Sequence, residues 1–267
     1  MKALSQRRRH PFVGVALLLL GLLITGGLYS VASTMNQAQA ATTGSGYSAE
    51  DISEGEKLFN ANCATCHGME AVGTEDGPSL VGVGAASVDF QVGTGRMPLQ
   101  MQGPQAQAKQ PVFNDEQTQQ LAAYVSSLGA GPSIPEEEYL DTDHEDVDLG
   151  KGGELFRVNC AMCHNAAAAG GALTRGKFAP GLEGVSEKHI YEAMATGPQN
   201  MPVFNDSNIK PEDKRNIIAF LKQIETQGSP GGAPLGSLGP VSEGLWVWTG
   251  GLALIVGFMV WLTSRSS

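Results

Sequence analysis

Apolar residues are distributed along this chain in two ways. Residues 11 to 33, PFVGVALLLLGLLITGGLYSVAS, and 245 to 262, LWVWTGGLALIVGFMVWL, run without a charge. Between them, apolar positions recur at helical spacing with one face to bury. In DEQTQQLAAYVSSLG (115 to 129), Leu121, Tyr124, Val125 and Leu128 fall on one side, and Gly129 ends the run. PEDKRNIIAFLKQIE (211 to 225) repeats the design, with Pro211 and two acidic residues in its first turn and Ile217, Leu221 and Ile224 facing inward. SEKHIYEAMATG reads as a helix starting at Ser186, and a short helix leads into Cys63. Strand-like alternation is absent, so the expected fold class is all-α.

The uncharged runs suit a bilayer. At 1.5 Å per residue, residues 245 to 262 span about 27 Å, roughly the hydrocarbon thickness. Trp246 and Trp248 stand at one edge and Trp261 at the other, where aromatic rings favour the interface. Arg7 to Arg9 precede the first run and Arg265 follows the second, so both flanks read as cytoplasmic and the intervening residues as extracytoplasmic. The first run is expected to be a retained anchor, with a cleaved signal as the alternative because small residues follow at Ala38 to Ala41. Either way the middle of the chain is exported, to a compartment that permits disulfides.

That middle part contains a repeat. GEKLFNANCATCH (55 to 67) and GGELFRVNCAMCH (152 to 164) share Gly, Leu, Phe, Asn, both Cys, Ala and His in register. GPSL (77 to 80) and APGL (179 to 182) follow, then GTGRMP (93 to 98) and TGPQNMP (196 to 202), then VFND at 112 to 115 and 203 to 206. The expected organisation is an anchor or signal (1 to 40), domain one (41 to 131), an acidic solvated linker (132 to 149) and domain two (150 to 227). A Gly/Pro-rich tether (228 to 244) then leads to a C-terminal membrane helix (245 to 267). Charge excludes one class of partner. Lys and Arg number 17 against 27 Asp and Glu and are scattered, so no nucleic acid partner is expected.

The four cysteines all lie in the two C-x-x-C-H copies. Two thiols three residues apart project to one side of a helical turn, and the next residue's imidazole points the same way. The sulfurs can then bond the two vinyl groups of a haem while His reaches the iron. Zinc fits poorly, since the pairs lie about 94 residues apart rather than roughly 15 to 20 and the adjacent His would be unexplained. Local disulfides or a thioredoxin-like pair would need no His. The candidate haem-binding residues are therefore Cys63, Cys66 and His67 in one copy, and Cys160, Cys163 and His164 in the other.

The other face of each iron decides between electron transfer and open-site chemistry, and methionine closes it. Met201 sits on a Gly- and Pro-rich loop that can carry its thioether over a ring. Met97 holds the matching place in the first copy, with Met101 as the alternative because LQMQGPQAQAKQP intervenes before VFND. Met69, Met162 and Met194 read as core methionines. Pro78 and Pro180 offer backbone carbonyls to the far nitrogen of each His, or serve as turn formers. His10, His144 and His189 read as unremarkable surface residues, and no catalytic group is expected.

CATCH, CAMCH, GTGRMP, GPQNMP, GKGGELFRVNCAMCHN, SPGG and the C-terminal apolar segment together resemble the dihaem cytochrome c subunit of actinobacterial cytochrome bc (bcc) menaquinol reductase complexes, from about residue 45 onward. The resemblance implies two tandem c-type cytochrome domains and two covalently bound c-type haems ligated by His67 with Met97 and His164 with Met201. It also implies a cytochrome b subunit and a Rieske iron–sulfur subunit as partners, and an aa-type cytochrome c oxidase as electron acceptor. The chain would be the electron-transfer subunit of a quinol–cytochrome-c reductase, multi-pass in the cell membrane, with no bond-making chemistry of its own. A dihaem subunit of another oxidase such as the cbb type, or of a periplasmic dehydrogenase, is the alternative. A dihaem peroxidase would need one iron left open.

Overall fold

The structure is a computed structural model that describes residues 15 to 27, 29 to 30, 46 to 227 and 240 to 265. The helices are α1 (Val15–Gly27), α2 (Ala49–Asn62), α3 (Ala64–His67), α4 (Ala85–Gly93), α5 (Asp115–Ser127), α6 (Leu149–Asn159), α7 (Ala161–His164), α8 (Glu187–Thr196), α9 (Pro211–Gln227) and α10 (Pro240–Ser264). The strands are β1 (Gly171–Ala172) and β2 (Phe178–Ala179), an antiparallel pair with Gly171 opposite Ala179. Helices thus dominate, and the small hairpin is the one departure from the all-α expectation among the described residues. Helix α4 was not foreseen.

The chain divides into two compact units, Met1–Ala85 with Gln119–Ser133, and Ala86–Thr118 with Ile134–Ser267. In the first, Ser48 caps α2: its hydroxyl accepts from the Asp51 N–H while the Asp51 carboxylate accepts from the Ser48 N–H. Helix α2 crosses the later turns of α5 at Gly55, where an added Cβ would run into the Gln120 carbonyl and lie 2.9 Å from the Tyr124 Cβ. Glycine is required there so that the two backbones can touch. One turn on, Phe59 packs on Tyr124 with ring centroids 5.2 Å apart, and Leu121, Ala122 and Val125 complete the buried face.

The second unit repeats this crossing. Asp148 caps α6 by accepting from the Lys151 N–H, and a Cβ on Gly152 would meet the Asn216 carbonyl of α9. Phe156 packs against Phe220 at 5.8 Å. Around that pair lie Cys160, Ile190, Tyr191, Met194, Ile209, Ile217, Ile218 and Leu221, all buried. The acidic segment before α6 is less solvated than its charge suggested. Tyr139 and Leu140 pack on this core, and the Arg215 guanidinium donates to the Glu138 carbonyl at 3.0 Å, while Glu136, Glu137 and Glu138 stay exposed.

Helix α10 starts earlier than its apolar run, at Pro240, a residue suited to a first helical turn. Its stretch Ser242–Ser264 is, among the described residues, the one helix long and apolar enough to cross a bilayer. Leu245, Trp246, Val247, Trp248, Leu254, Phe258 and Trp261 are exposed around it, the pattern of a helix whose solvent is lipid. The Arg265 guanidinium lies 5.0 Å from the Trp261 ring centroid at its end. The described stretch of α1, Val15–Gly27, is apolar and spans about 20 Å at 1.5 Å per residue; most of residues 1 to 40 and residues 228 to 239 of the tether lie outside the described residues.

Candidate haem sites

Each C-x-x-C-H motif sits at a kink between a long helix and a single-turn helix. Cys63 is at once the last residue of α2's hydrogen-bonding and the cap of α3: its N–H donates to the Phe59 carbonyl at 2.7 Å, and its own carbonyl accepts from Cys66 at 3.1 Å and His67 at 3.0 Å. Cys160 does the same with Phe156, Cys163 and His164 at 2.9, 3.1 and 2.9 Å. The turn ends where the residue after His takes a positive φ, 78° at Gly68 and 70° at Asn165. Glycine adopts that conformation freely and asparagine is among the few others that tolerate it.

Beyond the turn the backbone is duplicated in detail. The His67 carbonyl accepts from Gly73 and the His164 carbonyl from Gly170, both at 2.8 Å. Ala71 and Ala168 are buried in the left-handed region, at φ 56° and 58°, and their carbonyls accept from Leu80 and Leu182, again both at 2.8 Å. This loop brings a proline carbonyl to each imidazole. Nδ1 of His67 lies 2.7 Å from the Pro78 oxygen, and Nδ1 of His164 lies 2.9 Å from the Pro180 oxygen. A carbonyl only accepts, so Nδ1 carries the proton in both rings. Nε2 is left with its lone pair outward, ready for a metal. The carbonyl role foreseen for the two prolines is thus present.

No disulfide joins the four cysteines. Burial and the neighbouring thiol push Cys63 and Cys160 up to about 11, so both stay protonated and weakly nucleophilic at neutral pH. Burial lowers the pKa of His164, and its bond to Pro180 partly opposes that.

The methionine loops differ more. Met97 follows α4, is half-buried, and its N–H donates to the Gln91 carbonyl at 2.9 Å; the Met97–Pro98 bond is cis. Met101 is 79% exposed. Met201 closes a turn by donating to the Pro198 carbonyl at 3.1 Å, packs against the second unit's core, and the Phe204 N–H donates to the Met194 carbonyl at 2.8 Å just beyond. Of the three methionines read as core, Met194 is buried, whereas Met69, two residues after His67, and Met162, next to Cys163, are 65% and 92% exposed.

One cluster escaped the sequence reading. In the second unit Asp89 of α4 and Glu192 of α8 are buried, and they converge with His189 so that one ligand atom from each lies within 4.8 Å of the others. The Lys188 ammonium lies 2.7 Å from Asp89 and supplies the cluster's own cation. His189 is therefore half-buried rather than a plain surface residue. Its only signal in the sequence was a lone acidic residue inside an otherwise apolar stretch, at SVDFQV and again at HIYEAM.

Comparison with known proteins puts this geometry in context. The family described as "Cytochrome C oxidase, cbb3-type, subunit III" matches residues 50–125 and 147–221, the two copies of the repeat. A "Cytochrome bc1 complex cytochrome c subunit" from Corynebacterium efficiens is 46% identical over 228 residues, 80% of this chain and 77% of that protein. Proteins of the same description are 42% identical in Mycobacterium bovis, over 98% of this chain and 94% of theirs, and 40% identical in Corynebacterium diphtheriae, over 99% of both. The chain belongs to the cytochrome c subunits of cytochrome bc1 complexes. Alignment through the termini separates this family from the cbb3 description, which covers the cytochrome domains alone.

A cytochrome c subunit implies c-type haem, and the residues fit that group. Each motif offers two cysteine sulfurs and an imidazole whose Nδ1 is tied to a proline carbonyl, leaving Nε2 for a metal. At Gly77 a Cβ would stand 2.7 Å from the Cys66 carbonyl and 3.2 Å from the His67 Cε1, so the loop passes against the imidazole edge with no room for a side chain. That close approach holds the ring in one orientation.

Proposed function

We propose that this chain is the dihaem electron-conducting subunit of a membrane-bound menaquinol–cytochrome c reductase. One haem would be held by Cys63, Cys66 and His67 with Met97, the other by Cys160, Cys163 and His164 with Met201. The bound haem supplies reversible one-electron chemistry at iron. The protein's part is to fix the iron ligands and its potential. The thiols anchor, the imidazoles ligate through Nε2, and Pro78 and Pro180 keep Nδ1 protonated so that each ring cannot rotate away. Met97 and Met201, if they complete the iron ligation, would raise the potential and deny the iron to peroxide or oxygen, which disfavours a peroxidase. Half-burial and backbone anchoring favour Met97 over the exposed Met101.

Electrons would arrive from a Rieske iron–sulfur subunit that works with a cytochrome b subunit, and leave for an aa-type cytochrome oxidase. The two haem domains would lie on the extracytoplasmic side, held by α10 and by a second, N-terminal span. The observation that carries this reading is the duplicated C-x-x-C-H turn, with its histidine tied to a proline carbonyl, in a chain that aligns end to end with bc1 cytochrome c subunits. Purification through a C-terminal tag in mild detergent tests it. The expected result is two haems per chain by pyridine haemochrome assay, with a cytochrome b, a Rieske protein and oxidase subunits co-purifying. Recovery of the chain alone or with a dehydrogenase would leave only a membrane-bound dihaem cytochrome.

A further inference from the structure

Two insertions break the repeat. The proline stands 16 positions after the histidine in the second copy and 11 in the first, and the extra length forms the β1–β2 hairpin. Between Met-Pro and VFND the first copy carries residues 99 to 111, which the second lacks. Both insertions lie in the second unit, and they are bonded to each other. The Gln105 side chain donates to the Phe178 carbonyl and accepts from the Phe178 N–H, both at 2.9 Å, so its amide pairs with β2 as a further strand would. The next residue, Ala106, pairs in the same reciprocal way with a side chain from the Met201 turn: its N–H donates to the Gln199 amide oxygen at 3.3 Å and its carbonyl accepts from the Gln199 amide nitrogen at 3.2 Å.

The position of Gln199 is itself unusual. It sits two residues before Met201 at φ 61°, in the left-handed region where glycine is the ordinary choice. A glutamine there strains the backbone, and what it supplies in return is the paired amide. On its far side the insertion is tied down by Lys109, whose N–H donates to the Thr94 carbonyl at 3.3 Å and whose ammonium donates to the Pro98 carbonyl. One loop thus holds the carbonyl after Met97 at one end and the turn before Met201 at the other.

We propose that the 99 to 111 insertion is a clamp on the Met201 turn, with Gln199 and Gln105 as positioning residues that hold the Met201 thioether in its ligating place. This rests on Met201 being an iron ligand. Displacing a methionine from iron requires its loop to swing away. A turn held by one reciprocal amide pair to an insertion that a second pair ties to β2 opens less often, so the clamp would resist ligand exchange and favour the methionine-bound state.

Imidazole competition on the oxidised, haem-loaded full chain in detergent tests this, followed through the far-red methionine-to-iron charge-transfer band. Gln199→Gly suits the left-handed backbone and removes only the amide, so thermal stability should be kept or raised while imidazole displaces methionine about tenfold more readily, the factor expected for one to two net hydrogen bonds. Gln105→Ala, which leaves the Met201 turn untouched, should move in the same direction by less. Met201→Ala sets the baseline by removing its share of the band. If Met201→Ala abolishes that share yet Gln199→Gly and Gln105→Ala titrate like the parent, the clamp is wrong and the ligand reading stands. If Met201→Ala leaves the band intact, the ligand reading fails and takes the clamp with it.

Discussion

The two C-x-x-C-H loops solve one problem with different lengths of chain. Both turn through a kinked cysteine, both leave by a positive φ, and both return a proline carbonyl to the same imidazole nitrogen. The first gets there in 11 residues and stitches the path with side chains: the Thr74 hydroxyl donates to the Cys66 carbonyl at 2.5 Å, and the Ser79 hydroxyl to the Ala71 carbonyl at 3.3 Å. The second takes 16 and uses a backbone hairpin. What both keep is the set of bonds that orients the imidazole. What varies is everything that merely closes the loop.

The largest effect should come from breaking that shared set in one copy at a time. His67→Ala and His164→Ala are each expected to halve the haem content per chain, read by pyridine haemochrome assay. They should differ in cost to the fold. His164 is 9% exposed and follows Cys160, a member of the second unit's core, whereas His67 is only half-buried. The His164 variant should therefore yield less soluble domain and unfold at lower temperature. Equal behaviour would mean that burial around the second imidazole contributes nothing to stability.

Next in size are the helix crossings. Gly55→Ala and Gly152→Ala each drive a Cβ into a backbone carbonyl, of Gln120 and Asn216, which cannot give way as a side-chain tip can. Overpacking of this kind costs about 1–3 kcal/mol, and backbone contact puts both at or above the upper end. Denaturant unfolding should show comparable losses for the two. A mild effect at either position would mean that this crossing is looser than its partner.

These crossings also show how far residues alone lead. The glycines stood out because GEKLF and GGELF were in register, and the helices around them were predictable from their apolar faces and from the Ser186 and Pro211 starts. The proline carbonyls that meet each imidazole were legible because both copies of C-x-x-C-H are followed by a Pro-containing turn in register. Helix α4 was not, because AASVDFQVG is short, bounded by glycines and carries Val88 and Val92 with no capping signal before it, so packing makes it helical. The reciprocal glutamine pairs were equally hidden. They join residues 73 and 93 apart along the chain, and no local pattern announces a side chain that pairs with a distant backbone. The acidic segment misled for a related reason: its charges do face water, but Tyr139 and Leu140 between them do not.

A smaller effect separates the two methionine loops. Met97→Ala should remove the far-red band of the first haem and lower its potential, while Met101→Ala should leave both unchanged, since Met101 is 79% exposed. Redox titration followed optically distinguishes the haems. The reverse outcome would reassign the first ligand and show that the insertion, rather than the repeat, places it.

The smallest expected effect concerns the buried cluster in the second unit. The Glu192 carboxyl of α8 is buried beside Asp89 of α4, while Lys188, one turn earlier on α8, lies 2.7 Å from the Asp89 carboxylate and His189 stands beside it. Burial first, and then the neighbouring Asp89 charge, push Glu192 up to about 10, whereas Lys188 and His189 hold Asp89 below its ordinary range despite its burial. One carboxyl therefore keeps a proton and can donate to the other. The sign follows from where that proton goes. Above an ordinary value of 4.5 the unfolded chain loses it while the folded chain retains it up to about 10, so unfolding releases a proton and stability falls as pH rises across that window. Glu192→Gln keeps the shape and the donor without the titration. Its melting temperature should match the parent's near pH 4.5 and exceed it by a margin that grows toward mildly alkaline pH, with a flatter profile between. Parallel profiles for the two proteins would mean that Glu192 is ionised in the folded chain, and that Lys188 neutralises both carboxylates rather than one.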